Sequence, residues 1–231
     1  RALQSLIQQQ KEQSEHFQRF SSDVVHELKT PLSALRSGFE LYCESNDENE
    51  KSEIAGRIYK RIQQMEGLMN EIEQLGKLES RTDTEYSDQV IAIVKDVIRE
   101  FEQYQIVLRR DTLSENPRVP LSSDKVYQIL TNLLKNAVSF SPGKGTVVLS
   151  VFKESSYLGI TVQDRGPGIS KEALPHITDR FYSFRSKQDE KHSGLGLAIV
   201  HAILSSCGGT LTYVNVPEGG AEFTCRIPMI S

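Results

Sequence analysis

The 231-residue chain lacks the features that would tie it to a nucleic acid, a bilayer interior or an oxidising compartment. It has no surplus of positive charge. Its 27 Lys and Arg against 31 Asp and Glu leave a net charge of -4, so no basic footprint for DNA or RNA is present. It has no long apolar run. A membrane-spanning helix needs about 18 such residues, and the longest near-apolar stretch, Gly194 to Leu204, opens on glycines and is interrupted by His201. Nothing at its start reads as a secretory signal. Beginning at Arg1 rather than a methionine, it reads as part of something longer. Cysteine is scarce, odd in number and scattered (Cys43, Cys207, Cys225), which predicts reduced, buried thiols rather than a disulfide or zinc framework. Proline is nearly missing from the first 80 residues, where only Pro31 occurs.

What is present divides into two halves of different period. In the first, Leu3, Leu6, Gln10, Gln13, Phe17, Phe20 and Val24 follow the 3-4 spacing of a coiled-coil seam, and Leu28, Leu32, Leu35, Phe39 and Tyr42 continue it. A polar stretch from Glu44 to Lys51 reads as a turn. A second run follows: Ile54, Ile58, Ile62, Met65, Met69, Ile72 and Leu75. The spacing predicts an antiparallel helical hairpin over 1–80. One hairpin cannot bury both apolar faces, whereas two copies can as a four-helix bundle, so a homodimer is expected. Arg81 to Ser87 reads as a linker to a second domain over 88–231. There, strands are predicted at Val147 to Phe152, Leu158 to Gln163, Leu211 to Val216 and Glu222 to Ile227. Helices are predicted near Val90 to Tyr104, Ser123 to Val138 and Leu197 to Cys207. Segregated strands and helices give an α+β chain whose second half is an α/β sandwich.

Within the first helix, His26 opens the run His-Glu-Leu-Lys-Thr-Pro-Leu. At about 100° per residue, Phe17 and Leu35 lie about 180° from His26, and Val24, Leu28 and Phe39 fall within roughly 40° of that direction. His26 therefore points away from the seam. Thr30 is about 40° from it on the same face. Pro31 removes the helical partner of the Glu27 carbonyl, so a bend is expected. A neutral imidazole is a nucleophile at neutral pH, its unperturbed pKa being about 6.5. A neighbouring carboxylate can fix its tautomer and take a proton. Glu27 would have to reach round the helix to do so.

Four segments of the second half carry nucleotide chemistry. Asn132 and Asn136 sit at i and i+4 on one helix face, and amide oxygens are hard ligands suited to Mg²⁺. Asp164-Arg165-Gly166-Pro167-Gly168-Ile169 follows a strand; its carboxylate could accept from an amino group such as adenine N6, and its glycines allow close backbone approach. Gly194-Leu195-Gly196-Leu197 opens a helix, where phosphate is favoured. Gly219-Gly220-Ala221 closes the set. Each segment taken alone has an ordinary structural explanation, as a solvated helix face or a turn.

Taken together and in this order, the segments resemble the histidine kinases of bacterial two-component systems. His26 to Leu32 is similar to their phosphoacceptor box, Asn132 to Ala137 to the asparagine box, Asp164 to Ile169 and Gly194 to Leu197 to the two glycine boxes, and Arg180-Phe181-Tyr182 in part to the phenylalanine box. The resemblance implies a dimerising phosphotransfer hairpin followed by a Bergerat-type ATP-binding domain. It implies His26 as phosphoacceptor, Glu27 as its acid/base neighbour, and Thr30 as the residue that orients a water in a phosphatase reaction. Asn136, supported by Asn132, would bind Mg²⁺, and Asp164 would bind adenine. Phe140, Gly166, Gly168, Ile169, Tyr182, Gly194, Leu195, Gly196 and Leu197 would line the ATP site, with Arg185 and Lys187 in its lid. The implied partner is a response regulator, and the implied setting is the cytoplasmic part of a protein anchored in the bacterial inner membrane. Three positions depart from the family pattern. Ser139 and Ser183 stand where basic residues are frequent, and Thr178 replaces a phenylalanine; lid residues Arg185, Lys187 or Lys191 could supply the missing charge. Two other readings share part of the pattern: a Bergerat-type ATPase that works as a conformational clamp, and a dimeric scaffold that binds nucleotide for structure alone. The first has no use for the run from His26 to Leu32 on an exposed helix face; the departures at Ser139 and Ser183 are what speak for the second.

Overall fold

A computed structural model describes residues 2–80, 85–110, 116–141, 143, 145–182 and 193–230; for 2–10, 12–17, 19, 78–80 and 110 it describes the backbone alone. The chain forms two compact units, one over the described residues up to Glu73 and one over the described residues from Gln74 to Tyr182 and from Gly194 onward.

The first unit is the expected hairpin. Helix α1 spans Ala2–Glu44 and continues through Pro31 without interruption; helix α2 spans Glu48–Ser80. The turn between them is built by side chains. Asp47 Oδ1 accepts the N–H groups of Asn49 at 2.8 Å and Glu50 at 3.4 Å, which satisfies donors that the first turn of a helix leaves open. Ser45 Oγ donates to Glu50 at 2.6 Å. Glu48 and Glu50 also place negative charge at the positive end of α2. The helices come close at Gly38, where a Cβ would lie 3.1 Å from Ile58. Ile54 is buried beside the turn, and Leu28, Leu35, Ile58 and Met65 are half-buried. Part of the seam stays open in the single chain: Leu32, Phe39, Ile62 and Met69 are exposed.

The second unit is a five-stranded sheet with helices on one face. Helix α3 spans Val90–Glu100, strand β1 Ile106–Arg110, helix α4 Ser123–Phe140, strand β2 Val147–Glu154, strand β3 Tyr157–Gln163, helix α5 Gly196–Ser206, strand β4 Thr210–Asn215 and strand β5 Ala221–Pro228. The order across the sheet is β1-β2-β3-β5-β4. Only β1 and β2 pair in parallel, with α4 crossing between them; the other pairs are antiparallel. Strand β1 adds to the four strands predicted from the sequence. It is a short edge strand whose residues, Ile-Val-Leu-Arg-Arg, do not alternate apolar with polar, although their burial does: Ile106 and Leu108 are half-buried, Val107 and Arg109 exposed.

The two faces of the sheet differ because side chains alternate along each strand. Leu149, Val151, Leu158, Ile160, Val162, Phe223 and Ile227 point to one side and are buried with Leu130, Leu133, Leu134, Ile199 and Ile203 of the helices. The other face carries a row of hydroxyls in register, Ser150, Thr161, Thr224 and Thr212, with Thr161 and Thr224 hydrogen-bonded at 3.1 Å. This is the two-layer sandwich expected. Residues 81–84 of the predicted linker lie outside the described residues, while Ser87 is buried and exchanges both backbone hydrogen bonds with Val119.

The cysteines correct one expectation. Cys225 is buried on the core side of β5, where burial pushes its thiol far up, but Cys207 is half-buried and Cys43 is exposed. Cys43 lies in the last turn of α1, past the point where the hairpin packs tightly, so it has no core to enter.

Candidate nucleotide site and phosphoacceptor

The candidate site is organised by one face of α4. Asn132, Asn136 and Phe140 recur every four residues and so advance about 40° each along that face. At one end, Asn132 donates through Nδ2 to the Gln128 carbonyl at 2.9 Å, which aims its Oδ1 outward; that oxygen lies 3.2 Å from where a Cβ at Gly196 would be. The first residue of α5 therefore passes directly over the Asn132 amide. At the other end, the Phe140 carbonyl would be 2.7 Å from a Cβ at Gly166. Asn136 lies between the two. It is half-buried, and its side chain takes no hydrogen bond among the described residues. An amide that is not spent on the protein is available as an oxygen ligand.

The loop after β3 carries Asp164, which is buried to 3% exposure. Burial raises its carboxyl above the ordinary carboxylate range, and two backbone N–H donors oppose that rise, from Gly166 at 2.8 Å and Ala221 at 3.1 Å. Both donors bond Oδ1. Oδ2 accepts nothing from the described residues, so one oxygen is fixed by the protein and one is left for a ligand. Gly220 is required beside it: φ is +95° and a Cβ would lie 2.0 Å from the Asp164 carbonyl oxygen. Ser141 Oγ, at the end of α4, accepts from the Arg165 N–H at 3.4 Å and donates to the Ala137 carbonyl.

The third wall is the start of α5. Leu195 is fully buried and, as the residue at the cap position, has no side-chain oxygen to offer the first N–H groups of the helix. That is the arrangement in which phosphate is favoured at a helix N-terminus. Leu197 is half-buried on the first turn. Gly194 has φ +70°, and a Cβ there would meet the backbone of Phe181 and Tyr182 at 2.6–2.8 Å. The Tyr182 ring stacks against His176 at 5.6 Å between centroids. The four segments predicted from the sequence thus meet in one unit. Arg185, Lys187, Lys191 and Ser183 lie outside the described residues.

His26 lies on helix α1 of the hairpin. Its side chain is 75% exposed, and Thr30 on the next turn is exposed on the same face. Glu27 does reach round: its Oε1 lies 4.0 Å from His26 Nδ1, longer than a hydrogen bond and within ion-pair range. That leaves Nε2 as the outward nitrogen.

Sequence reasoning missed Asn215 at the end of β4. Its Oδ1 accepts the Ile169 N–H at 2.6 Å and its Nδ2 donates to the Ile169 carbonyl at 2.8 Å. Gly168, with φ +79°, has room only for hydrogen there, because a Cβ would lie 2.8 Å from Asn215 Oδ1. An asparagine just before Pro217-Glu218-Gly219-Gly220 is the usual composition of a turn, so nothing marked it in the sequence.

The family models agree with this division of labour. Residues 18–81 match the His Kinase A (phospho-acceptor) domain, and residues 122–231 match the family described as histidine kinase-, DNA gyrase B- and HSP90-like ATPase. The chain belongs to the sensor histidine kinases. Among curated relatives, the kinase is 30% identical over 236 residues to sensor histidine kinase WalK of Bacillus subtilis, covering 96% of this chain and 38% of that protein. It is 29% identical over 215 residues to sensor protein CreC of Escherichia coli, covering 92% of this chain and 45% of that one. It therefore spans less than half the length of these relatives. The solved structure of histidine kinase AdeS of Acinetobacter baumannii overlays with a TM-score of 0.70 at 26% identity, covering 89% of this chain and 98% of that one. Among the described residues, no helix of the kinase is long and apolar enough to cross a membrane.

Proposed function

We propose that this chain binds ATP in its second domain, 88–231, and transfers the γ-phosphoryl group to His26 in its dimerising hairpin, 1–80, from which it passes to an aspartate of a response regulator. The observation that carries the reading is His26 itself. A histidine on an open helix face, with a carboxylate at Nδ1 and Nε2 turned outward, has no packing role to explain it. In the transfer, the Nε2 lone pair attacks the γ-phosphorus, the bond to the ADP oxygen breaks, and Glu27 takes the Nδ1 proton. Little covalent work falls to the protein, so positioning and charge neutralisation dominate.

Asp164 Oδ2 accepts from adenine N6. The start of α5, with Gly194 to Leu197, approaches the phosphates, and Arg185 and Lys187 add charge from the lid. Asn136, with Asn132 beside it, fits Mg²⁺, because a free amide oxygen is a hard donor of the kind that shares this ion with water and phosphate. The ion, when bound, neutralises phosphate charge. The homodimer is supported by the apolar residues that the single chain leaves open. Val25, Leu32 and Phe39 recur every seven residues on α1, as do Ile62 and Met69 on α2, and all are exposed. That is the spacing of a seam facing another helix pair. Thr30, one turn from His26, is placed to orient a water against the regulator's phospho-aspartate.

Incubation with γ-labelled ATP tests the reading. The parent chain should acquire an acid-labile phosphate that His26→Ala abolishes. Label that persists in His26→Ala, or ATP hydrolysis with no protein label, would favour the clamp ATPase instead.

A further inference from the structure

The loop from Asp164 to Ile169 is held at both ends by a single rung of the β4–β5 ladder. Asn215 and Ala221 are direct partners in that pair and form its last rung before the turn. Ala221 holds the beginning of the loop. Its carbonyl accepts the Asp164 N–H at 2.9 Å and its N–H donates to Asp164 Oδ1 at 3.1 Å. Asn215 holds the end, through the paired hydrogen bonds to Ile169. Between them, Arg165 approaches Glu218 of the turn at 3.7 Å. The distance between the Asp164 carboxylate and the Gly168-Ile169 backbone is thus fixed by the rung and not by the loop, which contains two glycines and a proline and has no ladder of its own.

We infer that Asn215 is a positioning residue for nucleotide binding, resting on the ATP site proposed above. Its amide closes the far end of the loop, so that Gly168 and Ile169 are already in place when the base meets Asp164. The side chain touches no catalytic group, and it is exposed, so the amide is not needed to fill the core. It is bidentate toward the backbone of one residue, which an alanine cannot imitate and an aspartate imitates by half. Without the clamp, ordering the loop must come out of the binding free energy of ATP.

The test is steady-state autophosphorylation of the full chain over a range of ATP-Mg²⁺ concentrations, with amide hydrogen exchange read at Ile169. For Asn215→Ala, the KM for ATP should rise roughly five- to thirty-fold, the loss of one to two net hydrogen bonds. The rate at saturating ATP should stay within about two-fold, and the Ile169 amide should lose its protection. Asn215→Asp keeps the acceptor for that amide and loses the donor, so Ile169 should remain protected while KM still rises. Val214→Ala, one residue away and exposed, should match the parent in all three. A parent KM in both Asn215 variants, or a loss of saturating rate with KM unchanged, overturns the inference and leaves the ATP reading intact. A parent chain that binds no ATP overturns both.

Discussion

Replacing Asp164 by asparagine should weaken ATP binding and strengthen the fold at once. The new amide oxygen can keep the two N–H bonds from Gly166 and Ala221, because the group is isosteric and both bonds go to one atom. The amide nitrogen then takes the place of Oδ2. Toward adenine N6 a donor now faces a donor, whereas toward guanine O6 a donor faces an acceptor. Loss of a hydrogen bond to a charged group costs about 1.5–3 kcal/mol, or roughly 10- to 150-fold in the Kd for ATP. GTP should lose less or gain. The stability effect has the opposite sign. Burial holds the Asp164 carboxyl above the ordinary range, so its folded-state pKa exceeds its unfolded one. A group of that kind favours the fold fully below the unfolded pKa and loses that contribution as pH rises through the folded value. At neutral pH the fold therefore bears the cost of a buried carboxylate, which asparagine does not carry. Calorimetry with ATP and GTP, together with thermal unfolding from pH 4 to 8, reads both effects. The Tm advantage of Asp164→Asn should be largest at pH 7–8 and shrink on acidification. Equal losses for the two nucleotides would remove Asp164 from the base site. A Tm difference that grows as pH falls would refute the desolvation account.

Three further outcomes follow from the same geometry. Asn136→Asp should block labelling from ATP while leaving the dimer intact, because the free amide lies in the sheet-bearing unit and the open apolar seam in the hairpin; labelling together with light scattering reads both. Thr30→Ala should keep autophosphorylation within a few fold and lose dephosphorylation of the phospho-regulator, measured as decay of purified phospho-regulator with ADP present, and equal decay rates would reduce Thr30 to a helix residue before a proline. Gly220→Ala should lower the Tm of the second unit by roughly 5 °C or more, since its φ of +95° and a Cβ 2.0 Å from the Asp164 carbonyl leave no room, and an unchanged Tm would show that the β4–β5 turn can move away from the loop.

The sequence by itself determined the helical hairpin, the sandwich and the chemistry-bearing segments, because each is written in a local period or a local composition. The 3-4 spacing of apolar residues needs no partner to be visible, and α1 and α2 follow it. The face of His26 and Thr30 follows from 100° per residue, and the structure leaves both in the open. Strands β2 to β5 each carry an apolar run or an alternation long enough to read locally; β1, Ile-Val-Leu-Arg-Arg, is short and carries neither, and it became legible only once parallel pairing with β2 gave it a place. Composition misplaced Cys43, since a thiol's burial depends on whether a core reaches it. Three things belonged to tertiary structure alone. Asn132 and Phe140 each meet a glycine that is distant in sequence, which brings three separate segments onto one helix face. Asp164 offers a single oxygen because Ala221, more than fifty residues away, occupies the other. Asn215 acts on Ile169 only because β4 ends beside that loop. Contacts across such separations leave no trace in any local window of the chain, since what fixes them is the order of strands in the sheet.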